Sequence, residues 1–164
     1  MNREDQRVYA VQVLAFEGTS LNDMADRRSL MAETREVVTG VPLLAGSVTI
    51  EEGSVRMSVA DAYAQSVGRI VFAPRTMRRF TAVHEIAHIV HHRSHLSGTD
   101  HGPEYRGIYV DLITIVYGRR YGDLLHDAFV STGLVVTKAH LPMTDAPLIN
   151  IDVLTDATLG SRWL

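Results

Sequence analysis

Cysteine is absent from this 164-residue chain. Its absence excludes a disulfide framework, a cysteine nucleophile and any zinc finger ligated through sulfur. Long apolar runs are absent too. The longest, residues 107 to 118, is interrupted by Asp111 and falls short of the ~20 residues that a helical span requires. No excess of basic charge exists: 16 Lys and Arg stand against 19 Asp and Glu, for a net charge of −3. Nothing global therefore draws the chain onto nucleic acid or an anionic membrane. The local cluster Arg75, Arg78 and Arg79 reads as the solvated start of a helix. The amino terminus, residues 1 to 7, is charged and polar, unlike a secretory signal. A cytoplasmic protein is the resulting expectation. Hydrophobic residues make up 46% and charged residues 21%, enough for one domain with a buried core.

What is present centres on His84-Glu85-Ile86-Ala87-His88. Two histidines four residues apart on a helix share a face, roughly 6 Å from each other, so both imidazoles can reach one cation. Glu85 is rotated about 100° around the helix from His84, off that face but close enough to touch a water beside the metal. Two ligands plus a general base is the layout of a zinc hydrolase. Phe80, Val83, Ile86, Ala87 and Val90 give the helix an apolar face to bury.

The flanking chain supplies helices and short strands. Residues 4–17 read as a helix with Val8, Val11 and Ala15 on one face, widened by Tyr9, Val13 and Phe16, and ended by Gly18. Ser20 reads as the N-cap of a second helix running to about Thr39, with Glu33, Glu36, Arg27, Arg28 and Arg35 on its solvated face. Short alternating runs at 47–50, 54–59, 63–66 and 68–73 predict a small antiparallel sheet of three or four strands. The last of them, Arg69 to Ala73, is expected to be an edge strand able to pair with an extended substrate. The motif helix is expected from about Thr76 to Arg93. Pro103 opens a further helix to about Tyr117, and Leu124 to Val130 form the last one. The chemistry-bearing part is assigned to residues 1–136. Residues 137–164, with Pro142, Pro147 and an alternating apolar run at 148–154, are assigned to a C-terminal extension for docking, homo-oligomerisation or regulation.

Catalytic zinc usually takes three protein ligands and leaves one position for water. His91 and His92 lie too far along the helix axis to share a metal with His84 and His88. His95 stands one position beyond the third histidine of the H-E-x-x-H-x-x-G-x-x-H pattern, whose glycine position His91 occupies, so the spacing is not that of a metzincin. These three read as surface residues. His101 follows a loop long enough to turn back and precedes Gly102-Pro103, which makes it the expected third ligand. Glu104 is the alternative, giving a His₂Glu site, although a first-turn glutamate also suits the helix dipole.

His101-Gly102-Pro103-Glu104-Tyr105 after a His84-Glu85-x-x-His88 helix resembles the core of SprT/Spartan-type zinc metalloproteases. From Arg7 to about Val136 the chain is similar to a family of small bacterial metallohydrolases with the same two motifs. The resemblance implies an α+β, zincin-like fold, Zn²⁺ held by His84, His88 and His101, and Glu85 as catalytic base. It supplies no substrate; hydrolysis of a peptide bond, and so a protein or peptide substrate, is the expectation from the metal-and-base layout. The zinc ribbon and DNA-binding regions of the SprT/Spartan proteins have no counterpart in this cysteine-free, acidic chain, so a nucleic-acid role does not carry over. Residues 79–88 are also similar to the active helix of ImmA/IrrE-type regulators, which cleave repressors. A regulatory protease, or a metal-binding regulator with a blocked site, is the alternative reading.

Overall fold

The computed structural model describes residues 3–44, 47–54, 62–65, 68–94 and 100–151. Among these the chain is α+β, with five α-helices and two small sheets. Helix α1 (Arg3–Ala15) starts with Glu4 and Asp5, which suit the positive end of its dipole. The chain leaves it through Gly18, whose φ of +72° is cheap only for glycine. A single 3₁₀ turn at Ser20–Asn22 and strand β1 (Met24–Ala25) then precede helix α2 (Arg27–Gly40). Ser20 is therefore not the cap of that helix. Asp26 is: its side chain accepts from the Ser29 amide at 3.0 Å and from the Ser29 hydroxyl at 2.9 Å. Glu33 is not on a solvated face either. It is drawn against Arg79 in a largely buried ion pair, so neither it nor Arg79 is a free surface charge. Burial pushes the Glu33 carboxyl above its usual value, against the opposing pull of Arg79.

Strands β2 (Thr49–Glu52), β3 (Ala62–Gln65) and β4 (Arg69–Phe72) form a sheet in the order β2-β4-β3. β2 pairs with β4 in parallel and β3 pairs with β4 antiparallel, so the sheet is mixed and not purely antiparallel. β4 is central, which removes the expectation of an edge strand there. Its residues Ile70, Val71 and Phe72 are all buried, as a strand covered on both faces requires. The expected strand at 54–59 lies almost entirely outside the described residues.

Strand β5 (Met77–Arg78) pairs antiparallel with β1. The Arg79 amide donates to the Asp23 carbonyl at 3.2 Å, and helix α3 (Phe80–Arg93) begins one residue later. That two-residue ladder occupies the stretch where a helix start was expected at Thr76. Helix α4 (Pro103–Tyr117) opens on proline at its first position, as predicted, and packs along α3. Helix α5 (Arg119–Ser131) starts five residues earlier than the apolar pattern suggested and packs on both α4 and α1.

Residues 137–151 lie beside α4. The amides of Leu148 and Ile149 donate to the Ile115 and Val116 carbonyls at 3.1 and 2.8 Å, two of the acceptors that the end of a helix leaves open. Ile149 and Ile151 are buried in the common core. Gly107 on α4 allows this approach: a Cβ there would sit 1.6 Å from the Thr137 carbonyl oxygen.

Candidate metal centre

α3 is buried on nearly its whole circumference, from Phe80 to His91. It packs against α2, α4 and β3, and side chains of α1 and α4 meet its middle turns. The centre forms where these three helices meet.

His84, His88 and His101 converge there. Their ligand-capable ring nitrogens all lie within 4.8 Å of one another, close enough to hold a metal ion, and no other such group occurs among the described residues. The Nε2 atoms of His88 and His101 each stand 3.3 Å from Nε2 of His84. Two nitrogens bound tetrahedrally at about 2.0–2.1 Å from one zinc ion lie about 3.3–3.4 Å apart. The spacing thus fits one tetrahedral cation. His84 and His101 are buried and His88 is half-buried.

The protonation pattern points the same way. Nδ1 of His101 faces Oδ1 of Asp5 at 2.9 Å, and Nδ1 of His84 faces Oε1 of Gln12 at 3.0 Å. A carboxylate and an amide oxygen can only accept, so both rings carry a proton on Nδ1, and a ring with that one proton presents a lone pair on Nε2. Two lone pairs 3.3 Å apart repel unless something positive lies between them. Protons are poor candidates. Burial, followed by the neighbouring His88 and His101, holds His84 well below its usual pKa. Burial, with His101 next, pulls His88 down to about 3. Both rings are neutral at physiological pH, the form that binds metal. A cation is what this donor set accommodates.

Supporting contacts come from α1 and α4. Asp5 and Gln12 orient two of the three rings, the usual partnership of metal-binding histidines. The Tyr105 hydroxyl donates to the His84 carbonyl at 3.0 Å, and its ring packs 4.5 Å from that of His88. Arg106 is 2% exposed and fully engaged: it donates to the His101 carbonyl at 2.8 Å, to Glu4 at 2.7 Å and to the Val135 carbonyl at 2.7 Å. It thereby ties the loop that carries His101 to α1 and to the chain after α5. Glu85 is buried beside His84. Burial raises the hydroxyl pKa values of Tyr9, Tyr105 and Tyr109, and the negative charge of Glu85 raises all three further.

The structure therefore brings together His84, His88 and His101, with Glu85 adjacent. Glu104 is half-buried in the first turn of α4 and is not part of the cluster. His91 is not a surface residue: it is buried, and neither ring nitrogen has a hydrogen-bond partner among the described residues. His92 is exposed, 3.5 Å from Asp100. His95 lies outside the described residues. The contribution of α1 was missed in the sequence, where the helix reads as an apolar face alone. The signal was Asp5, Tyr9 and Gln12 at i, i+4 and i+7, a stripe that places a polar amide within a run of buried valines.

Comparison of the chain with protein-family models, with curated proteins and with solved structures returned no match. The centre is therefore read from its own geometry.

Proposed function

We propose that this protein is a zinc-dependent metallohydrolase of zincin-like architecture that cleaves peptide bonds. The observation that carries the reading is the convergence of three imidazoles, at the spacing of one tetrahedral ion, with a buried glutamate next to the first of them on the same helix. The resemblance of the two motifs to SprT/Spartan-type cores supports it.

His84, His88 and His101 would hold the ion. When bound, zinc supplies Lewis acidity toward the scissile carbonyl and acidifies water. Glu85 takes the proton of the attacking water and delivers it to the leaving amine. Asp5 and Gln12 keep two rings in the tautomer that leaves Nε2 available. Because β4 is the central strand, an extended peptide would have to pair elsewhere, along β2 or β3, the outer strands among the described residues.

Glu85→Gln tests the assignment. The variant is expected to retain about one equivalent of zinc and to lose turnover, since an amide cannot accept the proton. Used as a trap in a pull-down, it should hold the substrate protein. Full hydrolysis of the same target by Glu85→Gln would remove Glu85 as the base.

A further inference from the structure

Tyr9 stands outside the hydrophobic core and packs on the histidine cluster. Its ring stacks 4.9 Å from that of His84 at an interplanar angle of 30° and meets His101 edge-on at 5.4 Å. It is 37% exposed, whereas Tyr105 and Tyr109, the other tyrosines against His84, are completely buried. The Tyr105 hydroxyl is committed to the His84 carbonyl. The Tyr9 hydroxyl makes no hydrogen bond to any described residue. Its neighbours on α1, Asp5 and Gln12, are both turned onto the metal-binding rings, so Tyr9 shares a helix face already aimed at the centre.

The three imidazoles take three positions of a tetrahedral ion and leave the fourth for the reacting group. α3 and α4 cover the centre with buried side chains, whereas His88 is half-buried and Tyr9 is partly exposed. We infer that the Tyr9 hydroxyl is a catalytic hydrogen-bond donor to the oxyanion that develops on the scissile carbonyl at the ion's fourth position. This rests on the metallohydrolase reading above. A neutral phenol is chemically apt here, because it donates one hydrogen bond to a negative oxygen, strengthens as charge develops, and leaves the ion's coordination unchanged. The group recognised is a planar amide that becomes a tetrahedral oxyanion. The reaction balances as simple hydrolysis, with the water proton passing through Glu85 to the leaving amine and Tyr9 keeping its own.

The test needs no natural substrate. Full-length protein is loaded with cobalt(II), whose visible spectrum reports its coordination, and titrated with acetohydroxamic acid, a small ligand that sets an oxyanion at the metal. Wild type and Tyr9→Phe are compared, with Tm and cobalt stoichiometry measured for each. The expected result is equal cobalt loading and Tm, and hydroxamate binding weaker by about 10-fold or more in Tyr9→Phe, the loss of one hydrogen bond to a charged acceptor. Equal hydroxamate affinity in the two proteins would overturn the assignment. So would loss of cobalt affinity in Tyr9→Phe, which would make the phenol a ligand, or a cobalt spectrum that hydroxamate never perturbs, which would close the fourth position. Failure of the metallohydrolase reading is distinguishable: without a metal centre wild type takes up no cobalt, and with a metal centre that is not hydrolytic Glu85→Gln hydrolyses no less of the peptide target than wild type.

Discussion

Replacing Gln12 by leucine isolates the helper role assigned to α1. Gln12 lies 72 positions from His84 in sequence and touches it through one hydrogen bond of 3.0 Å. His84 is 1% exposed, so no bulk water can replace the lost acceptor. A buried N–H left without a partner costs about 1–3 kcal/mol. The penalty should fall on the metal-bound state. Without metal, the ring can shift its proton to Nε2 and donate to His88 or His101, whose Nε2 atoms stand 3.3 Å away. With metal bound, Nε2 is occupied and the proton stays on Nδ1 against leucine. A difference of about 1.4–2.7 kcal/mol corresponds to a 10- to 100-fold weaker metal Kd, the range typical of such orienting contacts. Competition against a chromophoric chelator measures it, with Gln12→Glu, which keeps an acceptor, as the control. An unchanged Kd in a folded Gln12→Leu protein would refute the claim that His84 binds through Nε2 with its proton fixed on Nδ1.

Metal-free protein should be acid-labile. Native His88 resists protonation down to about 3, whereas its unperturbed value is 6.5, so the unfolded chain binds the extra proton between those limits. Stability therefore falls as pH drops from 6.5 toward 3, by up to about 1.4 kcal/mol per pH unit for this group. His84 adds in the same direction. Tm of the apo form measured from about pH 7.5 to about 4.5 should decline below about 6.5, and a flat profile would contradict buried, neutral His84 and His88. Gly107→Ala should destabilise by about 1–3 kcal/mol, a Tm loss of about 2–12 °C, because its Cβ meets the Thr137 backbone oxygen rather than a movable side chain. An unaltered Tm would mean that residues 137–151 are not packed against α4 in solution.

The histidine cluster was legible because spacing on a helix is a local property. His84 and His88 are one turn apart whatever surrounds them, and Gly102-Pro103 announces the start of α4 next to His101. The α+β class and the helix that ends at Tyr117 were legible for the same reason. Non-local pairing was not. The parallel alignment of β2 with β4 skips over β3, and nothing in a run such as Arg69-Ile-Val-Phe names its neighbours, although its unbroken apolar character fits a central strand. The Glu33–Arg79 ion pair joins residues 46 apart, and each charge alone resembles a surface charge. Asp5 and Gln12 form a visible stripe with Tyr9, but which rings that stripe meets depends on where α1 docks, which α5 and the core determine.

The central claim is that one metal ion sits between His84, His88 and His101. X-ray absorption at the zinc edge of the zinc-loaded protein tests it most directly, together with metal analysis of wild type and His101→Ala. The expected outcome is one zinc per chain, three imidazole nitrogens at about 2.0–2.1 Å, and loss of most of the metal in His101→Ala. Two imidazoles at the metal, or full zinc occupancy in His101→Ala together with its loss in Glu104→Gln, would contradict it.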